Sequence, residues 1–186
     1  MKAKPSKYPG EVVLELNRRD DPLLAAASSG PATSPFRLKK ILVPIDFSDC
    51  SKKALQYAIP LAEQNGAALT LLYVVSTNYT VGEYGGIDYA SLEADMLASG
   101  EKELSKLVVD EVRGEEPADT IVRTGSPALS IIEAAQSLAV DLIVVSTHGR
   151  TGLKHALLGS VAEHVVRRSP CPVLVVREDE REFVTA

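Results

Sequence analysis

Residues 146–160, STHGRTGLKHALLGS, hold the side chains whose types and spacing best suit chemistry. Small and hydroxylic residues fill the stretch, which lies between an apolar run, DLIVVS, and a segment that reads as a helix. Gly149 and Gly152 let backbone N–H groups meet an anion with no side chain in the way. Gly159 and Ser160 open the helix, and a helix start offers unpaired N–H groups and a positive partial charge that suit phosphate. The same residues also fit a plain turn. SVAE reads as a capping box, with Ser160 bonding the Glu163 N–H and Glu163 reaching back. The stretch is neither a P-loop, since no Gly-Lys-Ser/Thr follows, nor G-x-G-x-x-G.

Asp46 ends the run KILVPID. A carboxylate at the C-terminal end of a buried strand can bond a ribose hydroxyl or help hold a metal attached to phosphates; its plainer role is a charge at the next helix start. His148, His155 and His164 lack the i, i+4 spacing of a helical metal pair. Arg150 and Lys154 are loop cations, within reach of phosphate or simply solvated. Cys50 falls in a first helical turn, where a thiol pKa can drop. Cys171, between two prolines, reads as packing. The two cysteines form no C-x-x-C pair, which fits free thiols and a cytoplasmic setting.

A parallel sheet is the framework that would gather these residues. KILVPID, ALTLLYVV, DTIVRT, DLIVVS and PVLVVR are short runs rich in Val, Ile and Leu, as expected of strands covered on both faces. Helices alternate with them. Ser48 or Asp49 caps the first, Gly66 ends it, and Pro60 within it predicts a kink or a lost hydrogen bond. The long segment from Ser91 to Val112 carries Leu92, Met96, Leu104, Leu107, Val108 and Val112 as one stripe. Ser126 caps the third helix with Pro127 at its first position, and Ser160 to Arg168 form the last. Residues 76–88 read as a long polar loop. The fold predicted is an open, doubly wound parallel α/β sheet of five strands with helices on both faces, whose ligands bind past the strand C-termini where the winding reverses. Residues 1–37, rich in proline, read as an extension in which GEVVLEL is a short strand or a helical turn; residues 38–178 form the domain and 179–186 a charged tail.

The net charge of −5 argues against broad binding to nucleic acid or an anionic membrane. No apolar run reaches membrane-spanning length, and the first residues lack a signal-peptide core.

ILVPIDFSDCSKKALQYA, DLIVVSTHGRTGLKHALLGSVAEHVV and SPCPVLVVR together resemble the universal stress protein family, over about residues 38–177. The resemblance implies strand order 3-2-1-4-5, which sets the first and fourth strands side by side, and homodimers often built through the last strand, here Pro172 to Arg177. One branch of that family binds ATP through a glycine, two residues, a glycine, nine residues, then Gly-Ser or Gly-Thr. Here the nine-residue spacing is kept between Gly149 and Gly159-Ser160, while Ser146 replaces the first glycine. Carried over by position, Pro44, Ile45, Asp46 and Val74 surround adenine and ribose. Ser146, Gly149, Gly159, Ser160, Val161 and Ala162 hold ribose and phosphates, and Mg²⁺ accompanies the nucleotide. Without a Walker lysine or an evident base for water, ATP is expected to act as a bound regulator or to be hydrolysed slowly. The rival reading is a dimeric interaction module of the same fold that binds no nucleotide, and Ser146 is the residue that favours it.

Overall fold

The computed structural model describes residues 2–5, 12–15, 37–76, 89–112, 118–149 and 158–181. The chain divides into two units, Met1–Arg37 and Leu38–Ala186. In the first, β1 (Lys2–Pro5) pairs antiparallel with β2 (Val12–Glu15), from Lys2 opposite Glu15 to Pro5 opposite Val12. Within the segment left open between strand and helical turn, Val12–Glu15 is therefore a strand.

The second unit alternates strand and helix: β3 (Lys40–Ile45), α1 (Asp49–Asn65), β4 (Ala68–Ser76), α2 (Tyr89–Glu111), β5 (Ala118–Gly125), α3 (Pro127–Leu138), β6 (Leu142–Ser146), α4 (Ser160–Arg168) and β7 (Val173–Val176). The sheet order is β5-β4-β3-β6-β7, all parallel, which is the predicted 3-2-1-4-5. Apart from Ser76, which ends β4, the polar segment 76–88 lies outside the described residues, as does the tail from residue 182. Among the described residues no helix is long and apolar enough to cross a membrane.

Side chains alternate along a strand, so each strand feeds two cores. Ile41, Val43 and Ile45 of β3 join Leu69 and Leu71 of β4, Ala54, Leu55, Ala58 and Ala62 of α1, and Leu104 and Leu107 of α2. On the other face Leu42 of β3 and Leu72 of β4 meet Ile143 and Val145 of β6, Ile131, Ala134 and Ala135 of α3, and Val165 of α4. The predicted α2 stripe is deep only at its C-terminal half: Leu104 and Leu107 are buried, whereas Leu92 is exposed.

The helix ends follow local chemistry. Ser48 caps α1, its hydroxyl accepting from the Ser51 N–H at 3.2 Å, and Gly66 leaves it in the left-handed region, where glycine carries no Cβ penalty. Pro60 stands inside α1 without ending it. Ser126 occupies the cap position of α3, with Pro127 behind it, but its side chain makes no capping bond. Past β7, Arg177 donates to Glu180 at 3.1 Å, and that bond together with the Glu180 and Asp179 charges holds its pKa above the ordinary value.

Two features of the sheet bear on the site. At the strand N-termini, Asp141 accepts from the Lys39 and Lys40 backbone N–H groups at 2.8 and 3.0 Å, its own N–H donates to the Lys40 carbonyl at 2.9 Å, and the Lys40 ammonium donates to the Leu138 carbonyl at 2.9 Å. At the C-termini the same two strands part. β3 and β6 pair only at Ile41–Leu142 and Leu42–Ile143, although β3 continues to Ile45 and β6 to Ser146. Pro44, in the part that separates, has no N–H for a ladder.

Candidate functional site

The parting of β3 and β6 opens a crevice of about 330 Å³ at the point where the winding reverses. Its volume lies in the range usual for small-molecule sites. All ten residues singled out from the sequence line it: Pro44, Ile45, Asp46, Val74, Ser146, Gly149, Gly159, Ser160, Val161 and Ala162.

One end is apolar. Pro44 of β3, Leu72 and Val74 of β4, Val145 of β6, and Pro127 and Ile131 of α3 form its walls. Leu72 and Val74 are two apart on a strand and so share a face, while Pro127 and Ile131 are four apart on a helix and share a stripe. Leu72, Ser76, Pro127, Ile131, Val145 and Thr147 line the crevice but were not identified from the sequence. The readable signals were the period of two in ALTLLYVVS and of four in PALSI; neither says that α3 closes over this end of the sheet.

The other end is polar. The Asp46 carboxylate accepts from the Ser48 N–H at 3.1 Å and the Ser48 hydroxyl at 2.5 Å, while the Asp46 N–H donates to the Ser51 hydroxyl at 3.4 Å. Facing it is Gly149, where an added Cβ would run into Asp46 Oδ2. The requirement for glycine at 149 is thus one of close approach. A Cβ on Gly159 would come within 3.1 Å of the Thr147 carbonyl, to which the Gly159 N–H donates at 2.8 Å. Gly159 has φ −71°, so it too is small for space and not for conformation.

The last helix differs from the sequence expectation in one respect. Gly159, not Ser160, is its cap residue, and Ser160 is the first residue inside. The capping box therefore does not form. The Glu163 N–H donates to the Gly159 carbonyl at 2.9 Å, and the Glu163 carboxylate turns to Arg167 at 3.0 Å. Glycine offers no side chain to cap with, so the N–H groups of Ser160, Val161 and Ala162, which an α-helix leaves without intrahelical acceptors, stand at the crevice wall. Ser146 is buried, and its hydroxyl donates to the His148 carbonyl at 2.9 Å, tying down the start of the loop.

His148 lines the polar end. Gly152, Arg150, Lys154 and His155 lie outside the described residues. Cys50 is buried, with its sulfur 3.8 Å from the Thr147 hydroxyl and 4.0 Å from the Val176 carbonyl. Cys171 is half-buried and packs on the α3 face of the sheet. Among the described residues no group of three or more His, Cys, Asp or Glu side chains converges as a metal cage would.

Comparison with known proteins agrees with this geometry at the level of family and fold. A universal stress protein of Methanocaldococcus jannaschii is 36% identical over 144 residues, covering 77% of this chain and 85% of that protein. The solved structure of universal stress protein UspA from Lactobacillus plantarum is 28% identical, with a TM-score of 0.66 over 76% of this chain and 99% of its own. A universal stress protein solved in complex with cAMP shares the fold at 24% identity, with a TM-score of 0.54 over 77% of this chain and all of its own (100%). The model of the universal stress protein family matches residues 37–177. With the sheet order, the parted strands and these matches in hand, the chain belongs to the universal stress protein family.

Proposed function

We propose that the crevice binds an adenine nucleotide, with ATP and its Mg²⁺ as the preferred form. The observation that carries the reading is the joining, in one crevice, of an apolar slot to a helix start whose first-turn N–H groups have no intrahelical acceptor. A flat base fits the slot beside Pro44, Ile45 and Val74. Asp46 takes a ribose hydroxyl or, with the phosphates, the hard cation, which favours oxygen ligands and keeps several waters. Ser146 and Gly149 border the ribose and the first phosphate. Gly159, Ser160, Val161 and Ala162 present backbone donors and a positive helix end to the remaining charge. The cAMP complex is a property of its own protein and supplies a precedent for this ligand class in a chain of the same fold.

Among the described lining residues, Asp46 is the one carboxylate and His148 the one imidazole, and no lysine ammonium is present. ATP in this reading serves as a bound regulator or is hydrolysed slowly. In this reading residues 38–178 are the binding domain, 1–37 an extension and 179–186 a tail. The working form is a cytoplasmic homodimer joined through β7.

A second reading keeps the fold and the dimer and discards the ligand. It is favoured by the Ser146 hydroxyl, which is committed to the loop's own His148 carbonyl. Two measurements separate the readings. Denaturing the purified protein releases any carried adenine nucleotide for identification, and calorimetric titration with Mg-ATP measures refilling. Absence of both signals would leave the interaction module as the function.

A further inference from the structure

We propose that Phe47 is a positioning residue for the crevice, acting through Asp46. This rests on the nucleotide reading above for its binding arm alone. Phe47 has φ +64°, in the left-handed region, where a bulky side chain is a true outlier. Such backbone persists only where its surroundings over-determine it, and it gathers at ligand clamps.

The surroundings are visible. The Phe47 ring packs against the Tyr73 ring, with centroids 4.8 Å apart and planes at 55°. Tyr73 in turn lies against Gly100 of α2, where a Cβ would stand 2.6 and 2.8 Å from two ring carbons. A small cleft of about 120 Å³, which includes Met96 and Glu103, opens beside the pair. This anchor lies on the α1 and α2 face of the sheet. Asp46 points the other way, into the crevice.

Ring and carboxylate fall on opposite faces by the alternation of the extended chain. The twist at Phe47 brings the Ser48 N–H and hydroxyl round onto the Asp46 carboxylate. The aromatic contact on one face offsets the strain of a non-glycine residue in the twist, and the twist sets the carboxylate on the other.

Glycine adopts this twist with no anchor, whereas a β-branched residue resists it. Phe47→Gly should therefore keep Mg-ATP affinity within about threefold of wild type, and Phe47→Val should lose about tenfold. On an Asp46→Ala background the Phe47→Val change should cost no further affinity, because its effect runs through that carboxylate. Hydrogen exchange of the Ser48 amide, read without nucleotide, gives the independent arm: protection kept in Phe47→Gly and reduced about tenfold in Phe47→Val. If Phe47→Val does not fold, Phe47→Ala replaces it, with a loss between the two. The proposal is overturned if Phe47→Val leaves Ser48 protection unchanged, if Phe47→Gly falls as far as Phe47→Val, or if the penalty survives on Asp46→Ala. If the wild type binds no nucleotide while the exchange pattern holds, the nucleotide reading fails and the positioning role stands.

Discussion

Gly149 lies so close to Asp46 that the crevice has no room for a methyl group between the loop backbone and the carboxylate. Asp46 cannot simply swing aside, because Ser48 holds its other oxygen by two hydrogen bonds. Gly149→Ala should therefore displace the carboxylate or lift the loop. Mg-ATP affinity should fall about tenfold or more, roughly 1.4 kcal/mol, while the melting temperature moves by only a few degrees because Gly149 is exposed. Calorimetry and thermal denaturation on the same preparation check both numbers. Unchanged affinity would remove Asp46 from the site.

Ser160 offers the cleanest separation of cap from cradle. As the first residue inside α4 it has no capping bond to lose, and an aspartate there suits the positive helix end. Ser160→Asp should fold with near-native stability. A carboxylate beside the first-turn N–H groups should repel phosphate and weaken Mg-ATP binding by about tenfold. Equal binding by this variant and wild type would place the phosphates elsewhere.

Ser146→Gly installs the glycine that the family resemblance expects at this position. It also removes the hydroxyl bond to the His148 carbonyl and adds backbone entropy to the unfolded chain, a cost of about 1 kcal/mol or somewhat more. Affinity for Mg-ATP should be equal or better, with the midpoint of urea unfolding lowered. Binding by Ser146→Gly alone, with none by wild type, would mark the crevice as a disabled site.

The proposed dimer makes its own forecast. The N–H groups of Ile143 and Thr147 donate to the Pro172 and Val176 carbonyls at 3.1 and 2.9 Å. By the alternation of a parallel ladder, the Val173 and Val175 N–H groups face the open edge. Val175→Pro should leave the β6 pairing intact and weaken association of two edges about tenfold or more. Sedimentation over a concentration series measures this, and a wild-type monomer at micromolar concentration refutes the premise.

Asp141→Ala removes an acceptor shared by two backbone N–H groups at the far end of the sheet. These bonds are exposed, so the expected loss is about 1–2 kcal/mol, seen as a lower denaturation midpoint. Nucleotide affinity should not change.

How much of this could be read in the chain depends on the range of the forces involved. Strands of Val, Ile and Leu, a serine cap at Ser48 and a glycine stop at Gly66 are local signals, and the structure carries each of them. The alternation of apolar runs and helices was sufficient for a parallel sheet; the strand order came from family resemblance. The cap of α4 was misplaced by one residue because Ser160 and Glu163 have the spacing of a capping box, while the Gly159 N–H is claimed by the Thr147 carbonyl and the cap passes to Gly159. That choice depends on a loop returning to its own strand, which propensity does not register. Pro127 and Ile131 were missed for a similar reason: helical spacing gives the stripe, but only the tertiary crossing decides which end of the sheet it roofs. The contact between Gly149 and Asp46 spans more than half the chain and has no sequence signature at all.

The lacing at Asp141 and the parting beyond Leu42 have a joint consequence for how this protein can change over time. The bonds that keep β3 and β6 together sit at one end, and the residues that line the crevice sit at the other. Substitutions at the mouth draw little on the cohesion of the sheet, since effects of separated sites add nearly independently. A lineage can therefore vary the residues at the mouth while the scaffold survives, and a serine at 146, where the family resemblance expects glycine, is the kind of change such an arrangement tolerates.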